Sequence, residues 1–283
     1  MRPENLKTKI FLDSGDPAET RETIKLLGFL DGQTTNPSLI AKNPETAGKK
    51  FSKQEILDFY KKVVSEVSGL IPDGSVSIEV YADGETTSEE MLEQGRQFYK
   101  WIPNAHIKYP TTAEGLVAAE RSVKEGMRVN MTLVFSQEQA AAVYAATRGA
   151  NPGGVYVSPF VGRLDDLGQN GMDLIANIIK MYDGAEGDAH VEILTASVRS
   201  IEHFKYAISL GCEIITSPLK IIKEWAEAGM PVPDESYTYP TSLSPIPYAE
   251  LDLQNDWNEF NIKHELTDKG IEKFAQDWNA LIA

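Results

Sequence analysis

Short β-rich runs alternate with helical segments along residues 9–218, and this alternation restricts the fold more than any other property of the chain. The runs are Lys9–Asp13 (KIFLD), Gly32–Asn36 (GQTTN), Val76–Val80 (VSIEV), His106–Pro110 (HIKYP), Val129–Val134 (VNMTLV), Tyr156–Phe160 (YVSPF), Val191–Ser197 (VEILTAS) and Glu213–Ser217 (EIITS). The segments between them carry helical periodicity, clearest where Ile56, Tyr60, Val63, Val64 and Val67 fall on one face. Helix starts are marked by Asp16–Pro17 with Glu19, by Ser52 with Glu55, by Ser136 with Gln139 and by Ser217–Pro218. Gly126, Gly149, Gly211 and Gly229 each follow an apolar periodic stretch and read as stops. Strict alternation of strand and helix implies parallel strands joined by right-handed crossovers. Eight such units in ~220 residues match a (β/α)8 TIM barrel, whose usual size is about 250 residues. The structural rival is a doubly wound open sheet. No G-x-G-x-x-G follows the first run and no P-loop occurs anywhere, so nucleotide binding has no support.

A barrel of this kind carries its functional residues at the C-terminal ends of the strands. Here those ends supply Asp13, Asn36, Glu79, Lys108, Asn130, Thr132, Ser158 and Ser197, all polar or ionisable. A single polar strand end is commonly a helix cap, but eight converging on one mouth are hard to explain as caps alone. Lys108 stands out, because an interior strand position normally holds valine or isoleucine. A buried lysine needs a paired ammonium or must shed its proton, and a neutral amine is a nucleophile toward carbonyls. Its bland alternative is a strand-end lysine that reaches to water. Glu79, between Ile78 and Val80, is a carboxylate within an apolar strand. Asp13 precedes Ser14–Gly15 and could simply close an Asx turn.

Net charge is −15, from 42 acidic and 27 basic residues, which argues against a nucleic-acid partner. A small anionic substrate would need a local cluster of donors, and Arg163 and Arg199, after the sixth and seventh runs, could supply one. Their alternative is pairing with nearby acids such as Asp165 or Glu202. The four histidines, at 106, 190, 203 and 264, show no ligand spacing, and no metal is expected. The single cysteine, Cys212, reads as a small core residue and fits a reducing compartment. The N-terminus lacks the apolar stretch of a signal peptide, and no run approaches the ~18 apolar residues of a membrane span, so a cytoplasmic location is expected.

Seven segments carry specific motifs in order: FLDSG (Phe11–Gly15), TTNPSLIAK (Thr34–Lys42), SIEV (Ser77–Val80), IKYPTTAEGL (Ile107–Leu116), NMTLVFS (Asn130–Ser136), SPFVGR (Ser158–Arg163) and ASVRS (Ala196–Ser200). Together they resemble the transaldolase and fructose-6-phosphate aldolase group of class I aldolases. The resemblance covers residues 8–230 and implies a transaldolase of the pentose phosphate pathway, handing a dihydroxyacetone unit from a ketose phosphate to an aldose phosphate. It implies Lys108 as the Schiff-base lysine, Asp13 as acid and base for the sugar hydroxyl, and Glu79 as a proton relay through a water beside Thr132. By the same resemblance Thr34, Asn36, Asn130, Ser158 and Phe160 meet the substrate, and Arg163, Ser197 and Arg199 hold its phosphate. Sugar phosphates are then the partners, in a homo-oligomer with no cofactor, no nucleic acid and no membrane. Phe160 and Glu79 replace the tyrosine and glutamine of the aldolase branch and so favour transfer over simple cleavage. The competing readings are a fructose-6-phosphate aldolase, a transaldolase for a sulfo-sugar, or a barrel that binds sugar phosphates without turning them over.

Two features depart from the family pattern. Tyr109 follows the lysine where a smaller aliphatic residue is usual. The barrel domain is expected over residues 1–232, with 233–283 as an extension rather than an independent domain. Pro233, Pro240, Pro245 and Pro247, with Tyr237, Tyr239 and Tyr248, give that extension a wrapping-segment composition. A final helix from about Thr267 would place Ile271, Phe274, Trp278 and Leu281 on one face, packed on the barrel or on another subunit.

Overall fold

The computed structural model describes residues 1–184 and 189–283. Eight parallel strands close in chain order: β1 (Lys9–Asp13), β2 (Gly32–Thr34), β3 (Ser75–Glu79), β4 (Ala105–Pro110), β5 (Val129–Val134), β6 (Val155–Pro159), β7 (Val191–Thr195) and β8 (Ile214–Ser217), with β8 paired to β1. Around them run α1 (Pro17–Leu27), α2 (Pro37–Ala41), α3 (Lys53–Leu70), α4 (Ser88–Tyr99), α5 (Ala113–Lys124), α6 (Gln137–Ala146), α7 (Val161–Asp165), α8 (Gly171–Asp183), α9 (Ile201–Ser209) and α10 (Leu219–Glu227). A last helix, α11 (Glu265–Asn279), lies beyond the repeating units. The expected (β/α)8 barrel is therefore present.

The punctuation explains most of the boundaries. Gly126, Gly149, Gly211 and Gly229 all have φ between 74° and 87°, the left-handed turn that ends a helix at little cost only in glycine. Ser52 and Glu55 form a reciprocal capping box at the start of α3. Other start signals resolve differently. Ser136 accepts from the Gln139 amide, but the Gln139 side chain turns away to Phe135 N, Ile262 O and Thr267 Oγ1. Asp16 caps α1, whereas Glu19 takes the Ser14 hydroxyl at 2.5 Å instead of completing a box. Pro218 occupies the cap of α10, and the buried Ser217 hydroxyl has no partner among the described residues. Two units also contain an extra five-residue helix, α2 and α7, before the main one. Consequently β2 stops at Thr34, and Asn36, read as a strand end, is instead the cap of α2.

The core is continuous from the barrel to its helical jacket. Low in the barrel, His106 stacks on Tyr156 with ring centroids 4.0 Å apart, and its nitrogens meet Ser75 Oγ and Gly153 O. Burial pushes its pKa down to about 3, so it is a neutral structural ring. Cys212 is fully buried and burial pushes its thiol up to about 12. Tyr109 is also fully buried and donates to or accepts from Ser122 Oγ at 3.0 Å. Gly95 of α4 makes room for it, since a Cβ there would sit 1.9 Å from the Tyr109 hydroxyl.

The segment after α10 runs over the outside of the barrel. Its backbone pairs with Gly168 and Asn170 through Ser244, with Asn177 and Asp173 through Ile246, and with Gln137 through Ala249. α11 then crosses the mouth toward α2, where Asp277 accepts a hydrogen bond from Ser38. Its buried stripe includes Leu266, Ile271, Phe274 and Trp278. No helix among the described residues is long and apolar enough to cross a membrane.

Candidate active site

Strand register builds the site. In parallel pairing Glu79 lies opposite Lys108, Lys108 opposite Asn130, Pro110 opposite Thr132, and Asp13 opposite Thr34. Alternation along each strand sends these side chains to one face. Lys108 Nζ comes to 3.0 Å from Glu79 Oε2, with both side chains only 4% exposed. The ammonium also donates to Thr35 O at 3.3 Å. Glu79 Oε2 has an ion-pair distance to Lys108 but no aligned hydrogen bond. Asp13 accepts from Thr34 Oγ1 at 2.6 Å, and that hydroxyl is 2.6 Å from Thr216 Oγ1 across the β1–β8 closure.

The electrostatics follow from burial. Desolvation raises the pKa of Asp13, and the Lys108 charge and the Thr34 hydrogen bond offset it only in part. Desolvation likewise raises Glu79, again against the pull of Lys108. Two acids whose neutral forms are favoured thus lie near one lysine, Glu79 buried and Asp13 partly exposed to the mouth, an arrangement suited to proton transfer between neighbours.

Nine of the twelve expected residues border a cavity of about 290 Å³ at the C-terminal mouth: Asp13, Thr34, Asn36, Lys108, Ser158, Phe160, Arg163, Ser197 and Arg199. The other three lie beneath or beside it. Asn130 is fully buried; it donates to Ser77 Oγ at 3.0 Å and accepts from Ser158 Oγ at 2.6 Å, so it meets the cavity through Ser158. Thr132 is fully buried with its hydroxyl unpartnered among the described residues. Glu79 borders a second cavity, about 380 Å³, walled by Tyr60, Phe98 and Trp278. That space is larger but lacks the lysine, so the smaller cavity is the candidate site.

Its cationic rim depends on close backbone approach. A Cβ on Gly162 would meet Ser197 O at 2.5 Å and Arg199 Nε at 2.6 Å, which explains the glycine inside SPFVGR. Ser197 itself is held at φ 58°, a left-handed backbone that a serine rarely adopts. Arg199 ion-pairs with Asp166 at 2.6 Å, not with Asp165 or Glu202. Asp165 instead lies 2.7 Å from His203 Nε2 and accepts from Gly171 N. Lys42, Lys273, Phe274, Asp277 and Thr216 also line the mouth, and sequence reasoning missed all five. The signal for Phe274 was visible as part of an aromatic stripe; which partner that stripe faced was not.

The chain belongs to the transaldolase/fructose-6-phosphate aldolase family. Residues 10–283 match it, through α11 and well past residue 230, where the motif resemblance ends. Relatives similar along almost their whole length include a probable transaldolase of Dehalococcoides mccartyi, 35% identical over 96% of this chain and 99% of that one. Another, from Alkaliphilus metalliredigens, is 36% identical over 97% and 99% of the two chains. A third, from Brucella ovis, is 37% identical over 95% and 96%.

Proposed function

We propose that the chain is a transaldolase of the pentose phosphate pathway, moving a dihydroxyacetone unit from sedoheptulose 7-phosphate or fructose 6-phosphate to an aldose phosphate through a Schiff base on Lys108. The observation that carries this reading is the buried Lys108–Glu79 pair at 3.0 Å, with Lys108 bordering the mouth that also holds Asp13. A non-catalytic sugar-phosphate barrel would have no use for so costly an arrangement. The mouth is also lined by five cationic side chains, Lys42, Lys108, Arg163, Arg199 and Lys273, against the two acids Asp13 and Asp277. In a chain of net charge −15 that local excess suits an anionic substrate.

In this reading Glu79 takes the ammonium proton, and the Lys108 amine forms a bond to the ketone carbon. The carbonyl oxygen, protonated twice, leaves as water, with Glu79 and the Thr132 hydroxyl passing protons, and an iminium results. Asp13 then removes the proton of the C4 hydroxyl. The C3–C4 bond breaks, its electron pair enters the iminium to give an enamine, and an aldose phosphate departs. An incoming aldose phosphate accepts the enamine carbon at its aldehyde, Asp13 returns the proton to the new hydroxyl, and hydrolysis frees Lys108. Asn36 and Ser158 would hold the sugar hydroxyls, and Arg163, Ser197 and Arg199 the phosphate.

The test is product analysis with and without an aldehyde acceptor. A transaldolase forms the new ketose phosphate only when the acceptor is present. Steady release of free dihydroxyacetone without acceptor would make the chain an aldolase of the same family. Indifference to phosphate together with turnover of a sulfonated sugar would reassign its substrate.

A further inference from the structure

We infer that α11 positions the anion-binding arginine Arg163, with Gly270 and Phe274 as positioning residues; the inference rests on the sugar-phosphate reading above. Arg163 is half-buried, and its guanidinium lies over two rings, Phe160 at 5.3 Å and Phe274 at 5.6 Å. It donates no hydrogen bond to any described residue and has no described carboxylate within ion-pair distance, whereas Arg199 is paired with Asp166 at 2.6 Å. An arginine kept free of carboxylates in so acidic a chain is held in place by shape. Aromatic rings against a guanidinium orient it without consuming its N–H donors. Both rings belong to residues that line the mouth with Arg163 itself.

Gly270 sets how closely α11 approaches. A Cβ there would sit 2.8 Å from Arg163 Nη1 and 2.6 Å from Leu133 Cδ2. Leu133 has little room, being fully buried near the end of β5 with φ 60° and with its carbonyl bonded by Thr267 Oγ1 at 2.9 Å. α11 is fixed at its other end by the Ser38–Asp277 hydrogen bond. Of the groups around an added methyl, the Arg163 side chain is the one with open space to move into. A single methyl on α11 should therefore displace the anion-binding group.

The experiment compares the full-length parent with Gly270→Ala and Phe274→Leu. Leucine keeps most of the apolar volume, so Phe274→Leu favours a folded chain; Gly270→Ala, whose methyl also crowds Leu133, is first checked by thermal melting, and Phe274→Leu decides the inference if that variant does not fold. Three quantities are read: competitive inhibition by inorganic phosphate, KM against kcat for the phosphorylated ketose, and borohydride trapping of unphosphorylated dihydroxyacetone on the enzyme. Gly270→Ala should weaken phosphate inhibition and raise KM by about tenfold each, with kcat and dihydroxyacetone trapping unchanged. Phe274→Leu should move the same two quantities in the same direction by less. Unaltered phosphate inhibition in both variants, or a fall in kcat and trapping in step with phosphate binding, would overturn the inference. If the parent itself failed to trap dihydroxyacetone, the Schiff-base reading would fall, and the phosphate comparison would still decide the role of α11.

Discussion

Lys108→Met keeps most of the side-chain length and removes the cation that faces Glu79 and Asp13. Both members of the Lys108–Glu79 pair are 4% exposed, so the variant strands a desolvated carboxylate, a defect that usually costs about 3–5 kcal/mol. That cost depends on pH, and its sign can be worked out. Burial raises the folded-state pKa of Asp13 above 3.8 and of Glu79 above 4.5, and Lys108 opposes both shifts. A group with a raised folded pKa contributes stability that is complete below its unfolded pKa and is lost as pH rises through its folded value. Removing Lys108 raises both folded values further, so the loss is deeper at neutral and alkaline pH. In acid the carboxyls are protonated in either protein, and the parent then carries a buried ammonium that the variant lacks. The stability deficit of Lys108→Met should therefore be about 3–5 kcal/mol at about pH 8 and shrink toward zero at about pH 4. Urea unfolding followed by tryptophan fluorescence at the two pH values measures it. An equal deficit at both, or none at the higher pH, would refute this account of the site's electrostatics.

Because Asp13 must be ionised to take a hydroxyl proton, and burial raises its pKa, kcat/KM should fall with decreasing pH through a limb centred above 3.8; Asp13→Asn should abolish turnover, and a limb at or below the ordinary carboxylate value would count against the assignment. Gly95→Ala should lower stability by about 1–3 kcal/mol, because its Cβ falls 1.9 Å from the Tyr109 hydroxyl, and adding Tyr109→Phe should recover most of the loss in thermal melting; a double variant no better than the single would break the link. Ending the chain at Val232 exposes the partners of Leu266, Ile271, Phe274, Trp278 and Leu281, each worth about 1.5–3 kcal/mol when buried, a total comparable to a domain's whole stability. The truncated chain should fail to accumulate as a soluble, active protein, and parental turnover from it would contradict the packing described for α11.

What was readable in the chain before folding was whatever depends on near neighbours. Strand positions followed from β-rich runs, and helix ends from glycines such as Gly211 that must adopt a left-handed turn. The polar strand ends pointed to the mouth because parallel strands in a barrel all finish on the same side. Where two local signals competed, the reading slipped. Asn36 looked like a strand end, but Pro37 begins a helix too short to show periodicity, and the asparagine caps it. Gln139 had the spacing for a capping box, yet it binds Thr267, far along the chain. Lys273, Phe274 and Asp277 enter the site only because α11 folds back over the mouth, and no local pattern encodes that return. The same holds for Gly270, whose role becomes visible only when Arg163 is beside it.

The central claim is a covalent bond between Lys108 and a keto sugar, and reductive trapping tests it most directly. The parent protein is treated with fructose 6-phosphate and borohydride, digested, and its peptides are mapped by mass. The prediction is a reduced three-carbon adduct on the peptide containing Lys108, absent in Lys108→Met. An adduct on a different lysine, or turnover of the ketose phosphate with no trapped adduct at all, would contradict it.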